Sequence, residues 1–215
     1  GKLIDAQQIS ANLTQELREA VPNATLFVEH PRLPFVSYCY EWPFEMLQSA
    51  ALLYLNVLRA ALDMGYTLKD ASPYNIQFLG PDPVMIDVAS FEPYTEGEPW
   101  SAYNEYCRLF LNPLLFQSST AIPFHRWLRG SLRGIEPGEL SRLLPWRKKF
   151  RPKVFTNVVL QAWLERRFGA TTNSGQPSVR PRIGKNQLLK LITGVEKIVA
   201  GLKPGNVQSQ WGSYD

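Results

Sequence analysis

Ile9, Leu13 and Leu17 recur at every fourth position, and this spacing predicts an amphipathic helix over Asp5 to Ala20. Thr25-Leu26-Phe27-Val28 and Phe35-Val36-Ser37-Tyr38-Cys39-Tyr40 read as short strands, set among Pro31, Pro34 and Pro43. From Phe44 to Met64 the chain has neither Gly nor Pro and ends at Gly65, a natural C-terminal cap. Leu47, Ala50, Ala51, Leu53, Tyr54, Leu55, Val57, Leu58, Ala61 and Leu62 surround most of that helix, so it is expected in a domain core. Ile76-Gln77-Phe78 and Val84-Met85-Ile86 are strand-like, and Gly80-Pro81-Asp82-Pro83 between them predicts a hairpin. Trp100 to Phe116 carries aromatic residues at core spacing. Helices are expected at Phe124 to Leu132, Pro137 to Leu144, Lys153 to Phe168 and Asn186 to Leu202, with a loop over Asn173 to Gly184. The fold class is therefore α+β and mostly helical.

Composition changes this picture little. A chain of 215 residues with 45% hydrophobic and 20% charged content is that of a water-facing globular protein. No apolar run is long enough to span a bilayer, so no membrane partner is expected. Cys39 and Cys107 are isolated and fit no metal or redox spacing, which suits reduced thiols and a cytoplasmic location. His30 and His125 are too few and too separate for a zinc site. The chain opens on Gly1 rather than Met, and a fragment of a longer protein is expected.

Charge adds one local feature. Between Glu139 and Glu165 there is no acid, while Arg142, Arg147, Lys148, Lys149, Arg151 and Lys153 fall in that gap. Such a stretch can meet phosphorylated or acidic partners, although a solvated helical face is the plainer reading. It carries no recognisable nucleic-acid motif, and no nucleic-acid partner is expected.

The candidate chemistry lies in T-L-K-D-A-S-P-Y-N-I-Q-F-L-G-P-D-P-V-M-I-D-V-A-S-F-E, residues 67 to 92. Asp70 and Asn75 flank Pro73, and Asp87 follows the apolar run Val84-Met85-Ile86. A hairpin inside this stretch would bring Asn75, ahead of its first strand, near Asp87, after its second. Hard oxygen donors fixed around a hard cation are what phosphoryl transfer requires of a protein.

The pattern D-x-x-P-x-N, strand, turn, strand, Asp resembles the catalytic loop and metal-binding Asp of the protein-kinase-like fold, especially its aminoglycoside-phosphotransferase branch. That resemblance implies Asp70 as catalytic base, Asn75 and Asp87 as metal ligands, and Mg²⁺ and ATP as cofactors. It further implies a kinase-like C-lobe with a long buried central helix and a small hairpin. On that reading 1–42 is the remnant of an incomplete N-lobe and hinge, 43–168 the helical C-lobe and 169–185 a linker. Residues 186–215 form a terminal helix and a junction to a further domain. Leu68 stands where kinases carry His, and Asp87-Val88-Ala89 lacks the Gly of D-F-G. No G-x-G occurs, and the only Lys before Lys69 is Lys2. Phosphotransfer is therefore expected to be degenerate.

A longer set of motifs, E-H-P-R-L-P-F-V-S-Y at 29–38, E-W-P-F-E-M-L at 41–47, L-K-D-A-S-P-Y-N-I-Q-F at 68–78 and I-D-V-A-S-F at 86–91, resembles a more particular family. These look like the N-terminal region of bacterial S-adenosylmethionine-dependent methyltransferases similar to nodulation proteins. That likeness implies an accessory role beside a downstream methyltransferase domain, with S-adenosylmethionine bound only outside this chain. An ATP- and Mg²⁺-dependent phosphotransferase acting on a small molecule, and an interaction module using the basic helical face, are the alternatives. The substrate and the nucleotide-binding residues are unknown at this level.

Overall fold

A computed structural model describes residues 2–9, 11–24, 26–144 and 182–205. The expected helix at Lys153 to Phe168, most of the expected loop at Asn173 to Gly184 and most of the basic stretch lie outside the described residues. The architecture is α+β, with roughly half of the described residues helical and only short strands.

The organising element is α2 (Phe44–Asp63). Pro43 stands at its N-cap, where the absent N–H costs nothing, and Gly65, at φ 84°, turns the chain out of it. Leu47, Ala50, Tyr54, Leu55, Leu58 and Leu62 are all buried on it and form one broad apolar face. Tyr54 lies against Trp100, Tyr106 and Phe110, with ring centroids 6.1, 5.5 and 6.1 Å away. Those partners come from a second helical run, α3 (Tyr103–Tyr106), a π-helical turn (Cys107–Leu111) and α4 (Asn112–Thr120). Pro113 has no N–H to give to the preceding turn, and the ladder widens just before it.

α5 (His125–Gly130) and α6 (Pro137–Leu143) follow, anchored by buried Phe124, Leu128, Ile135 and Leu140. α5 is shorter than the Phe124–Leu132 expectation because Gly130 ends it. The last helix, α7 (Lys185–Ala200), buries Leu188, Ile192, Val195 and Val199 in the same core as α2. Gln48 on α2 donates to the carbonyls of Val199 (2.7 Å) and Leu202 (3.0 Å), which satisfies the open end of α7. Arg59 pairs with Glu196 across the same contact.

Two short antiparallel pairs frame the candidate site. β4 (Ile76–Leu79) pairs with β5 (Asp82–Met85), with Ile76 opposite Met85. The expected hairpin is present, turned by Gly80 at φ 62°. Ile86 falls outside its strand, where its N–H bonds the carbonyl of Asn75 at 2.9 Å. The second pair was not legible in the sequence: β3 (Tyr66–Leu68) against β6 (Phe91–Pro93), with Leu68 opposite Phe91.

The N-terminal expectations need correction. Helix α1 covers Ala11–Ala20 only, because Gln7–Gln8 form β1 and pair with β2, Val28–Glu29. The strand expected at Phe35 to Tyr40 does not form. Gln77 takes its place as partner instead: its side-chain carbonyl accepts from the Ser37 N–H (3.0 Å) and its amide donates to the Ser37 carbonyl (2.9 Å). The Trp42 indole N–H donates to the Ser37 hydroxyl at 2.8 Å. The backbone at Ser37 is thereby satisfied by one buried side chain rather than by a ladder. At the other edge of the hairpin, Leu3 forms a parallel bridge with Met85.

Candidate functional site

β3 pairs with β6 and β4 with β5, so one hairpin is nested inside the other. Two short connections lie between the ladders, Lys69 to Asn75 and Ile86 to Ser90. Backbone bonds from Lys69 N–H to the Ser90 carbonyl (3.0 Å) and from Ile86 N–H to the Asn75 carbonyl (2.9 Å) hold them side by side. Asp70, Asn75, Asp87 and Ser90 all sit on these connections.

Asp87 is the centre of the cluster. Its Oδ2 accepts from the Asn75 amide at 3.0 Å and from the Ser90 hydroxyl at 3.1 Å. Its Oδ1 accepts from the Ala89 N–H at 2.9 Å, an N-cap for the one-turn 3₁₀ helix Val88–Ser90. Asp70 joins from the other side, with its Oδ2 3.4 Å from the same Ser90 oxygen. The Ser90 hydroxyl has one proton, and the shorter contact assigns it to Asp87. Asp70 therefore keeps the freer carboxylate. Ser90 is fully buried, whereas Asp70, Asn75 and Asp87 are half-buried and reach solvent. The structure thus brings together all three side chains that the sequence singled out.

Other groups complete the frame. Ser72 accepts from the Tyr74 N–H at 3.2 Å and caps the 3₁₀ turn Pro73–Asn75. Glu105 of α3 accepts from the Ala71 N–H at 2.8 Å, fixing the peptide that follows Asp70. Sequence reading missed Glu105, which lies 34 positions from Ala71 with no local motif around it. Tyr74 borders Cys39. Burial, with the Tyr74 hydroxyl opposing it, pushes the Cys39 thiol up from 9.0 to about 11, and burial pushes the Tyr74 phenol to about 12. Burial likewise lifts Tyr54 and Tyr106 far above the ordinary phenol range. These groups stay neutral near pH 7.

The fit to a hard divalent cation can be judged from the donors. Asp70, Asn75 and Asp87 supply oxygen of the right kind. Two of the three hydrogen bonds to Asp87 fall on Oδ2 and one on Oδ1, so a cation taking Oδ1 would share that oxygen with the Ala89 N–H. Among the described residues no group of three or more His, Cys, Asp and Glu is placed to hold a metal ion. As it stands, three donors hold Asp87 within the loop, and Asp70 keeps the more accessible carboxylate.

No helix among the described residues is long and apolar enough to cross a membrane. No protein-family model matches the chain, and no solved structure matches it significantly. The chain is 33% identical over 217 aligned residues to nodulation protein NoeA of Rhizobium meliloti. That match takes in 100% of this chain and 45% of the relative, so the chain spans less than half of the bacterial protein it resembles.

Proposed function

We propose that the chain is a kinase-like domain, degenerate in phosphotransfer, that serves as the accessory part of a longer methyltransferase of the nodulation-protein type. The single observation behind degeneracy is that Asp87 already accepts three hydrogen bonds from within the chain, from Asn75, Ala89 and Ser90. A carboxylate held by three donors is stable without a metal ion. The kinase-like reading draws support from the long buried α2 directly ahead of the loop, and from the nested hairpins that set Asp70, Asn75 and Asp87 on adjoining connections. The accessory role draws support from the part-length likeness to NoeA. S-adenosylmethionine would bind to a region beyond these residues, and Asp70 would be a relic of the base.

The reading is tested by titrating the chain with magnesium and ATP in a calorimeter. Absence of heat at millimolar concentrations is the expected result. Saturable binding that Asp87→Asn removes would instead establish an ATP- and Mg²⁺-dependent phosphotransferase.

A further inference from the structure

Positive charge is segregated in this chain. Residues 122–153 hold nine Lys and Arg against two Glu, whereas the whole sequence holds 23 basic and 19 acidic residues. The rest of the chain is therefore net acidic, and the formal charge of +4 comes from this one region.

Within that region, Ile122 to Arg133 form an excursion fixed at both ends. At one end Phe124 is fully buried, and its N–H bonds Gln117 Oε1 at 3.3 Å. At the other, Gly134 packs onto the Arg108 carbonyl, and the Ile135 N–H bonds that carbonyl at 3.0 Å. Between these anchors Leu128 points into the core, while Arg126, Arg129 and Arg133 are exposed. Among the described residues none of these three arginines takes part in an ion pair; the two pairs present use Arg59 and Arg108. Leu132, at the tip, is 79% exposed, the highest value of any large apolar side chain described. Ile122, at the start, is 49% exposed.

We propose that this excursion is a docking surface for an anionic phospholipid membrane, on which the protein rests without spanning it. Guanidinium groups attract acidic headgroups, and aliphatic tips gain by entering the boundary beneath them. The exposed leucine decides between partners. A phosphate polymer such as DNA would use the arginines and gain nothing from Leu132, whereas a lipid interface uses both.

The test is sedimentation of the chain with vesicles of phosphatidylcholine alone or mixed with phosphatidylglycerol, beside a duplex DNA titration. The expected result is binding to the mixed vesicles only, weakened by salt and reduced about tenfold by either Arg126→Glu/Arg129→Glu or Leu132→Lys. Both variants alter exposed side chains, and unchanged circular dichroism melts confirm their folding. Leu132→Lys adds charge, so its loss of binding separates lipid insertion from simple charge attraction. The proposal is overturned by equal sedimentation with both vesicle types or with neither. It is also overturned if Leu132→Lys binds mixed vesicles as well as the parent chain, or if DNA binds more tightly than the mixed vesicles.

Discussion

The side-chain amide of Asn75 lies 3.0 Å from the carboxylate of Asp87, although the two residues are 12 positions apart in sequence. The β4–β5 hairpin makes this meeting unavoidable, because Ile76 is opposite Met85 and each residue lies just outside its end of the ladder. Ser90 then closes the cluster from the β6 side.

Removing Ser90 should therefore cost stability without touching the core shape. Ser90→Ala deletes a fully buried donor and leaves Asp87 with its two remaining partners. A loss of about 1 kcal/mol is expected from urea unfolding. An unchanged midpoint would mean that the hydroxyl contributes nothing to holding the two connections together.

Glu105 should matter through the backbone. Glu105→Ala strands the N–H of Ala71, which is fully buried, and a loss of about 1–3 kcal/mol is expected. Glu105→Gln keeps an acceptor oxygen and should lose clearly less. Equal losses in the two variants would show that charge, not the hydrogen bond, is what the loop needs.

Gly134 should tolerate no side chain. It has φ 73°, and a Cβ there would sit 2.2 Å from the Arg108 carbonyl oxygen. Gly134→Ala should cost more than about 1 kcal/mol, because backbone strain and a clash with the main chain act together. Soluble protein with the parental melting temperature would contradict the placement of that turn.

Cys39 sets an alkaline limit. Its thiol is raised from 9.0 to about 11 in the folded chain, so above pH 9 the unfolded chain loses a proton that the folded chain keeps. Unfolding then becomes easier as pH rises: the contribution is intact below pH 9 and lost by about pH 11. Cys39→Ala should flatten the fall in melting temperature between those values. The parent chain should also resist thiol reagents at pH 8 until it is unfolded.

The parts of this fold that the sequence made legible are those fixed by local pattern. The apolar surround of α2 and the turn after Leu79 each carry their signal within a few residues; α2 forms where expected, and the hairpin forms with a tighter turn, since Asp82 and Pro83 belong to β5. What escaped was non-local. β3 and β6 are three residues each, with Thr67 and Glu92 in facing positions, too short for alternation to show. Phe35 to Tyr40 has strand composition, yet its partner is the single side chain of Gln77, which no periodicity reveals. In the candidate site, the spacing of Asp70, Asn75 and Asp87 was readable because the hairpin folds it locally. Glu105 was not readable, because only the packing of α3 brings it to Ala71.

On the proposed function, Asp87 is held from within by Asn75, Ala89 and Ser90 and needs no cation. The most direct test is the melting temperature of the chain with and without millimolar magnesium, for the parent and for Asp87→Asn. Asp87→Asn keeps the volume but weakens three hydrogen bonds that a carboxylate accepts, so it should melt lower than the parent with or without the ion. Magnesium should leave both melting temperatures unchanged. A rise of several degrees in the parent that Asp87→Asn abolishes would contradict the account, since only a ligand bound to the native state through Asp87 produces that pattern.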